Sequence, residues 1–144
     1  MTSYYGIAAL VLAASLSGCN ALPRDPAATS DRLRAGEPVR AGLVAGGGGV
    51  GPARRVVERA ARRLGTTVRW RVDAGEPLLH ALETGKLDVV VGRFATQSPW
   101  MKHVALSDPV GTAEPDDSSE PALRLARANG ENAWIALLDE EIAK

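Results

Sequence analysis

Hydrophobic and polar positions change their period several times along the chain, and each change predicts a new element of secondary structure. Apolar residues form a short run over Val39–Ala45, alternate with polar residues over Thr66–Val72, and form a near-continuous run over Leu87–Gly92. Each segment is typical of a β-strand, and the continuous run is typical of a strand buried on both faces. The three runs therefore predict three strands.

Between these strands, apolar residues recur at the spacing of an α-helix. The first helical face consists of Val56, Val57, Ala60, Ala61 and Leu64, and the second, over Glu76–Thr84, of Leu78, Leu79 and Leu82. Pro52 suits the first turn of a helix, and Gly65 and Gly85 suit the position just after a helix ends. The order strand, helix, strand, helix, strand predicts an α/β fold with a mostly parallel sheet flanked by helices.

The C-terminal third has weaker patterns. We expect a short strand over Val104–Leu106 and a linker over about residues 111–122, where Pro, Asp and Ser are frequent. Two C-terminal helices are predicted over Pro121–Ala128 and Asn132–Ala143, separated by the turn residues Asn129-Gly130.

The first residues have the pattern of an export signal. Gly6–Leu16 is an apolar run that is too short, at about 1.5 Å per residue, to cross a bilayer core of about 30 Å. This length is typical of the hydrophobic region of a signal peptide. Residues 16–19, Leu-Ser-Gly-Cys, resemble the bacterial lipobox, which implies cleavage before Cys19 and a diacylglycerol on its thiol.

We therefore predict a signal peptide over residues 1–18 and a lipidated tether over residues 19–37, which is rich in Pro, Ala and Arg. The chain has a single cysteine, so no disulfide competes for its thiol. Asn20 weakly favours the outer membrane, because Asp at that position would resemble an inner-membrane retention signal. The alternative is a plain secreted protein in which Cys19 is incidental.

Composition and charge limit the class of partner. The chain has 144 residues, 45% of them hydrophobic, and its formal net charge is zero. This balance gives no reason to expect a nucleic-acid partner. The charge is nevertheless uneven, with 11 basic and 4 acidic residues from Cys19 to Arg71 but 8 acidic and 3 basic from Glu114 to Lys144. Either the two halves attract each other in the fold, or a basic face lies near an anionic membrane.

Four segments resemble the bacterial extracellular solute-binding proteins of family 3, the amino-acid-type receptors of ABC importers. They are residues 62–68 (RRLGTTV), 79–92 (LHALETGKLDVVVG), 104–110 (VALSDPV) and 130–134 (GENAW). The resemblance implies an α/β lobe of the periplasmic-binding-protein type over residues 38–144. Family members have two lobes that close on a ligand, whereas here only about 20 residues separate Val110 from Gly130, so the second lobe is missing.

The resemblance also implies where a ligand would lie. Its loops after the first and third strands place ligand contacts at Gly48, Gly49, Thr96, Ser98 and Trp100. Trp100 stands where the family has the arginine that pairs with the ligand carboxylate, and an indole cannot replace a guanidinium fork. Trp100 lies either at the mouth of the former cleft or as a rim aromatic that shields the sheet.

The glycine run of residues 46–51 has three interpretations. Gly46, Gly48 and Gly51 fit the dinucleotide-binding fingerprint, with Asp73 about 20 residues further on. A small anion could instead bind at the N-terminus of the following helix. The third interpretation is a flexible loop that lacks the aromatic residue the family often has there.

Other candidate sites are weaker. His80 and His103 have no Cys, Asp or Glu spacing that predicts a metal site, so both are expected to be surface or packing residues. His103, Ser107 and Asp108 lack the nucleophile elbow of a hydrolase. We therefore predict no metal, no cofactor and no enzymatic activity.

Two functions remain. In the first, the chain is a lipid-anchored, extracytoplasmic component of an ABC-type transport system that binds a small polar solute. It binds alone or as a homodimer that rebuilds a cleft, and it works with a permease. In the second, it is a degenerate or truncated paralogue, a lipoprotein that contacts protein partners and has no transport role. A dinucleotide-binding domain is a distant third.

Overall fold

The computed structural model describes residues 25–111 and 120–144. The signal peptide, Cys19 and Asn20 lie outside these residues. The helices are α1 (Thr29–Arg34), α2 (Gly51–Arg63), α3 (Gly75–Glu83) and α4 (Asn132–Ile142), and a 3-10 turn covers Pro99–Lys102. The strands are β1 (Val39–Val44), β2 (Val68–Asp73), β3 (Val89–Phe94), β4 (Val104–Leu106) and β5 (Ala122–Ala128).

The strands form one sheet in the order β2-β1-β3-β5-β4. Strand β1 pairs in parallel with β2 and β3, whereas β5 is antiparallel to both β3 and β4. The predicted α/β class, with a parallel core flanked by helices, is confirmed. We call the end of the sheet where β1, β2 and β3 finish its carboxyl end, and the end where they begin its amino end.

Strand β5 corrects the prediction for the C-terminal third. Residues Pro121–Ala128 were expected to form a helix, because Ala, Leu and Arg favour helices. In the structure, Leu123 and Leu125 face one side of the sheet and Ala126 faces the other, so the segment follows a period of two. Both faces are covered, which removes the alternation that normally reveals a strand. The described part of the chain therefore has one C-terminal helix, α4, instead of two.

The helices divide the core into two layers. Helices α2 and α4 cover one face, where Val57, Ala60, Trp134 and Leu138 pack against Val89 and other apolar residues of the sheet. Helix α3 covers the other face with Leu78, Leu79 and Leu82. The helices predicted from the apolar spacing are thus present, within about two residues of the expected bounds. No helix in residues 25–111 or 120–144 is long and apolar enough to cross a membrane.

The segment before β1 is part of the fold. The sequence predicts a tether up to residue 37, whereas residues 29–34 form α1, whose Leu33 is fully buried. Asp25 accepts a hydrogen bond from the Ala133 N–H at the start of α4 (2.7 Å). Glu131 in turn accepts one from the Thr29 N–H at the start of α1 (3.2 Å). The two carboxylates therefore cap each other's helices, a long-range exchange that no local pattern encodes.

Charge pairing joins the basic and acidic halves of the chain. Arg63 of α2 binds Glu140 (2.6 Å) and Glu141 (3.3 Å) of α4, and Arg59 also binds Glu141 (3.3 Å). The hydrogen bond from Lys144, followed by that from Arg59, lowers the pKa of the buried Glu141 carboxyl. The expected attraction between the two halves is confirmed.

Gly92 marks the tightest packing among the described glycines. A Cβ added there would lie 2.7 Å from Val44 Cγ2 and 3.0 Å from Phe94 Cζ. We predict that Gly92→Ala lowers the free energy of unfolding by about 1–3 kcal/mol, because the core must shift to admit a methyl group. Urea denaturation measures this change. Gly48→Ala is the matched control, since no atom lies within 4 Å of its Cβ position, and a loss as large as that of Gly92→Ala would contradict the packing argument.

Candidate functional site

Two loops leave the carboxyl end of the sheet side by side. Because β1 and β3 are parallel neighbours, the glycine loop after Val44 and the turn after Phe94 emerge at the same end. The first carries Gly48 and Gly49, and the second carries Thr96 in a turn closed by a hydrogen bond from the Ser98 N–H to the Ala95 carbonyl (3.2 Å). The structure therefore brings four of the five predicted ligand residues, Gly48, Gly49, Thr96 and Ser98, to the two loops at this end of the sheet.

The glycine loop has the backbone of a tight connection to a helix. Gly46 and Gly49 have φ values of +76° and +73°, which residues with a side chain rarely adopt. Val50 caps α2 without a side-chain hydrogen bond, so its side chain does not satisfy the N–H groups of the first turn. Pro52 removes one donor from that turn. The loop and the helix start thus leave backbone donors at the carboxyl end.

Arg93 is the functional candidate that the sequence analysis did not select. It lies on β3, one residue before the strand ends, and its side chain is exposed. Its Nη2 atom is 3.7 Å from the Cβ position of Gly49. Among the described residues, the Arg93 guanidinium makes no hydrogen bond or ion pair. One signal in the sequence could have identified Arg93. It is a polar residue directly after the buried run 89–92, at the carboxyl end of a central parallel strand.

Further cationic and aromatic groups lie at the same end of the sheet. Arg55, on the first turns of α2, has Nη1 3.4 Å from the Cβ position of Gly51. The Phe94 ring lies against Gly92 and is partly buried in the α3 layer. The carboxyl end therefore combines two guanidinium groups, an open glycine backbone and an aromatic side chain. Such a set suits a small solute with an anionic group.

The structure places Trp100 away from this cluster, whereas Ser98 closes the turn that holds Thr96. Ser98 begins the 3-10 turn, where its hydroxyl accepts a hydrogen bond from the Trp100 N–H (3.4 Å). Trp100 lines a cavity of about 180 Å³ with Glu83, Pro99 and His103. Glu83 ends α3 near the amino end of the sheet. The chain has thus turned back from the carboxyl end before it reaches Trp100.

The two histidines meet at one carboxylate. His103 Nδ1 lies 2.8 Å from Glu83 Oε1, and His80 Nδ1 lies 3.9 Å from Glu83 Oε2. Both side chains are exposed, as expected for surface histidines. In residues 25–111 and 120–144, no group of three or more His, Cys, Asp or Glu side chains could hold a metal ion.

The residues of the rival sites are engaged elsewhere. Asp73 binds Arg71 (2.6 Å) and the Ala74 N–H (2.9 Å), and the hydrogen bond from Arg71 lowers the pKa of this carboxyl. The buried Ser107 hydroxyl donates to the Asp108 carbonyl (2.7 Å) and accepts from the Leu125 N–H (2.9 Å). Ser107 therefore acts as a turn residue between β4 and β5.

No protein-family model matches the chain, and none of the curated proteins matches it. Several solved structures do. A point mutant of the arginine-bound domain 1 of TmArgBP has a TM-score of 0.67 at 20% identity, over 79% of this chain and 95% of that chain. The arginine-bound form of the same domain has a TM-score of 0.62 at 21% identity, over 73% and 90%. TmArgBP is the ArgBP of T. maritima.

A third similar structure is the substrate-binding protein of an amino acid ABC transporter, with a TM-score of 0.61 at 12% identity. The match covers 74% of this chain and 92% of that chain. At these identities the likeness concerns the fold. It extends over nearly the whole of each of these three matched chains, and two of them are single domains.

Proposed function

We propose that this chain, whose fold is that of one lobe of the amino-acid solute-binding proteins, binds a small polar solute that carries a carboxylate or another anionic group. The binding is non-catalytic, and the site is the carboxyl end of the sheet. Arg93, Gly48, Gly49 and Thr96 contribute to it. Ser98, whose N–H closes the turn that holds Thr96, stays a predicted contact beside them. Trp100 stays a predicted contact that would need a different position of residues 99–103.

The observation that carries this proposal is the Arg93 guanidinium beside the glycine loop. A planar guanidinium donates two parallel hydrogen bonds to a carboxylate, and the family resemblance leaves Trp100 in place of the usual arginine. Arg93 supplies the same fork from the neighbouring strand. The backbone N–H groups at the start of α2 supply further donors for an anion.

A single lobe is large enough for such a task. The isolated domain 1 of TmArgBP was crystallised in an arginine-bound form, which supports solute binding by one lobe without a second. An open face encloses less of a ligand than a closed cleft does, so we expect weaker binding than a two-lobed protein achieves. A homodimer that joins two carboxyl ends would strengthen it.

The cellular setting follows from the N-terminal pattern. A signal peptide over residues 1–18 and a lipid on Cys19 would hold the chain on the periplasmic side of the cell envelope, where an ABC permease is the expected partner. Asn20 favours the outer membrane.

Replacing Arg93 tests the proposed site. We expect that a melting screen of residues 24–144 against amino acids, organic acids and other small anions identifies a solute that raises Tm by several degrees. Arg93→Ala should then weaken binding of that solute about 10- to 100-fold, since a hydrogen bond to a charged group contributes about 1.5–3 kcal/mol. Isothermal titration calorimetry measures the loss.

Arg69→Ala is the matched control, because Arg69 is also exposed on a strand but lies on β2, away from the glycine loop. An equal loss of affinity in both variants would contradict the role of Arg93. A cooperative melt that no solute shifts would contradict solute binding itself and would favour the protein-interaction role.

A further inference from the structure

The chain enters the fold at the amino end of the sheet, opposite the proposed solute site. Residues 25–34 lead directly into the start of β1. Asp25 is buried and held by the N–H groups of Ser30 (3.0 Å) and Ala133 (2.7 Å), and Glu131 holds the N–H groups of Ala27 (2.6 Å) and Thr29 (3.2 Å). The point at which the tether joins the domain is therefore fixed by the fold.

The tether left by this arrangement is short. The tether consists of the six residues 19–24, from Cys19 itself to the residue before Asp25. Six residues reach at most about 20 Å. A six-residue strand is itself about 20 Å long. A lipid on Cys19 therefore holds the amino end close to the bilayer, while the carboxyl end can lie a strand length further away.

Exposed lysines lie at the same end. Lys86 precedes β3, and Lys102 ends the 3-10 turn, where its carbonyl accepts a hydrogen bond from the side chain of Asn129 after β5 (3.3 Å). Gly130, the residue after Asn129, lies against Pro26, with 3.4 Å between the Cβ position of Gly130 and Pro26 Cγ. This contact places Lys102 and Asn129 close to the point where the tether joins the domain. Among the described residues, neither ammonium group makes a hydrogen bond or an ion pair.

The acidic side chains near this end already have partners. Asp31 pairs with Arg34, and Glu37 and Asp88 both pair with Arg32. Glu83 pairs with His103. Asp25 and Glu131 accept hydrogen bonds from backbone N–H groups. Lys86 and Lys102 are therefore two of the exposed cations at this end that are open to an external anion, and Arg62 at the end of α2 and Arg69 at the start of β2 are exposed as well. Each lysine near an anionic membrane strengthens the attraction by about fivefold.

We propose that the amino end of the sheet rests on anionic lipid headgroups through Lys86 and Lys102, and that the solute site at the carboxyl end opens away from the membrane that holds Cys19. This inference rests on the lipid anchor of the proposed function. Solute captured from the surrounding space would then reach the site without passing between the domain and the bilayer.

Energy transfer on vesicles tests the orientation. The full chain, lipidated on Cys19, is placed in vesicles of phosphatidylcholine with about one third phosphatidylglycerol and an acceptor dye on the headgroups. Because Cys19 is the only cysteine and its thiol carries the lipid, a single new cysteine can be labelled. Asn129→Cys places the donor dye at the amino end, and Gln97→Cys places it at the carboxyl end.

We expect markedly more efficient transfer from position 129 than from position 97. Pure phosphatidylcholine vesicles, or Lys86→Gln with Lys102→Gln on anionic vesicles, should bring the two efficiencies closer together, because the anchor remains while the attraction between these lysines and the headgroups is removed. Equal transfer from both positions on anionic vesicles, or greater transfer from position 97, would overturn the proposed orientation.

The mass of the intact chain separates this inference from solute binding. A chain without lipid on Cys19 would overturn the anchor and the orientation together. Solute binding is measured on residues 24–144, which lack Cys19, so its outcome does not depend on either result.

Discussion

Replacing Trp134 by alanine is expected to lower the free energy of unfolding by about 3–5 kcal/mol, the largest loss that we predict for a single apolar side chain in this domain. Trp134 is fully buried between α4 and the sheet. Its indole Nε1–H donates a hydrogen bond to the Asp88 carbonyl (2.9 Å). The substitution removes the packing of a large ring and leaves that carbonyl without this donor.

Urea denaturation of residues 24–144 measures the change for Trp134. Trp134→Phe should lose less, about 1–3 kcal/mol, because it keeps much of the ring but not the N–H donor. Trp100→Ala is the matched control, since Trp100 is only partly buried in a small cavity. If Trp100→Ala and Trp134→Ala destabilise equally, Trp134 does not have the central place in the core that its burial indicates.

Replacing Asp88 by alanine should cost about 3–5 kcal/mol as well, for an electrostatic reason. Its carboxylate is buried and accepts hydrogen bonds from the Arg40 N–H (2.8 Å), from Arg40 Nε (3.1 Å) and Nη2 (2.6 Å), and from Arg32 Nη2 (2.7 Å). Removal of the carboxylate leaves two partly buried guanidinium groups without their common anion. It also releases α1 from β1.

The matched control for Asp88 is Asp31→Ala, which removes an exposed carboxylate that pairs with Arg34 on the surface. Such pairs contribute about 0–1 kcal/mol, so little change is expected. Thermal and urea denaturation of both variants give the comparison. A stability of Asp88→Ala close to that of the unsubstituted chain would show that the buried cluster contributes specificity of packing more than stability.

The local pattern predicts most elements of the fold, and it fails where packing overrides it. Helices α2 and α3 follow from the spacing of Val, Leu and Ala, and the parallel core follows from the buried run of β3. Strand β5 was missed because a segment buried on both faces loses the alternation of apolar and polar positions, and its Ala, Leu and Arg residues favour a helix. Helix α1 was missed because its Leu33 is buried by distant partners within an otherwise polar stretch.

The candidate site shows the same limit. Gly48, Gly49 and Thr96 could be selected from the sequence through the family resemblance, and their meeting at one end of the sheet agrees with the way loops after parallel strands gather there. The nearness of Arg93 to Gly49 depends on the pairing of β1 with β3. The position of Trp100 depends on the path that the chain takes to β4.

The sequence by itself thus determined the class of fold and the order of its central elements, since both depend on residues that are near one another along the chain. It also predicts an export signal and a lipid on Cys19. Only the tertiary structure decided which side chains meet: the caps exchanged by Asp25 and Glu131, the Asp88 cluster, and Arg93 beside the glycine loop. These contacts join residues that are far apart in the sequence. They arise when strand pairing and helix packing fix the distances between elements, which no local period can encode.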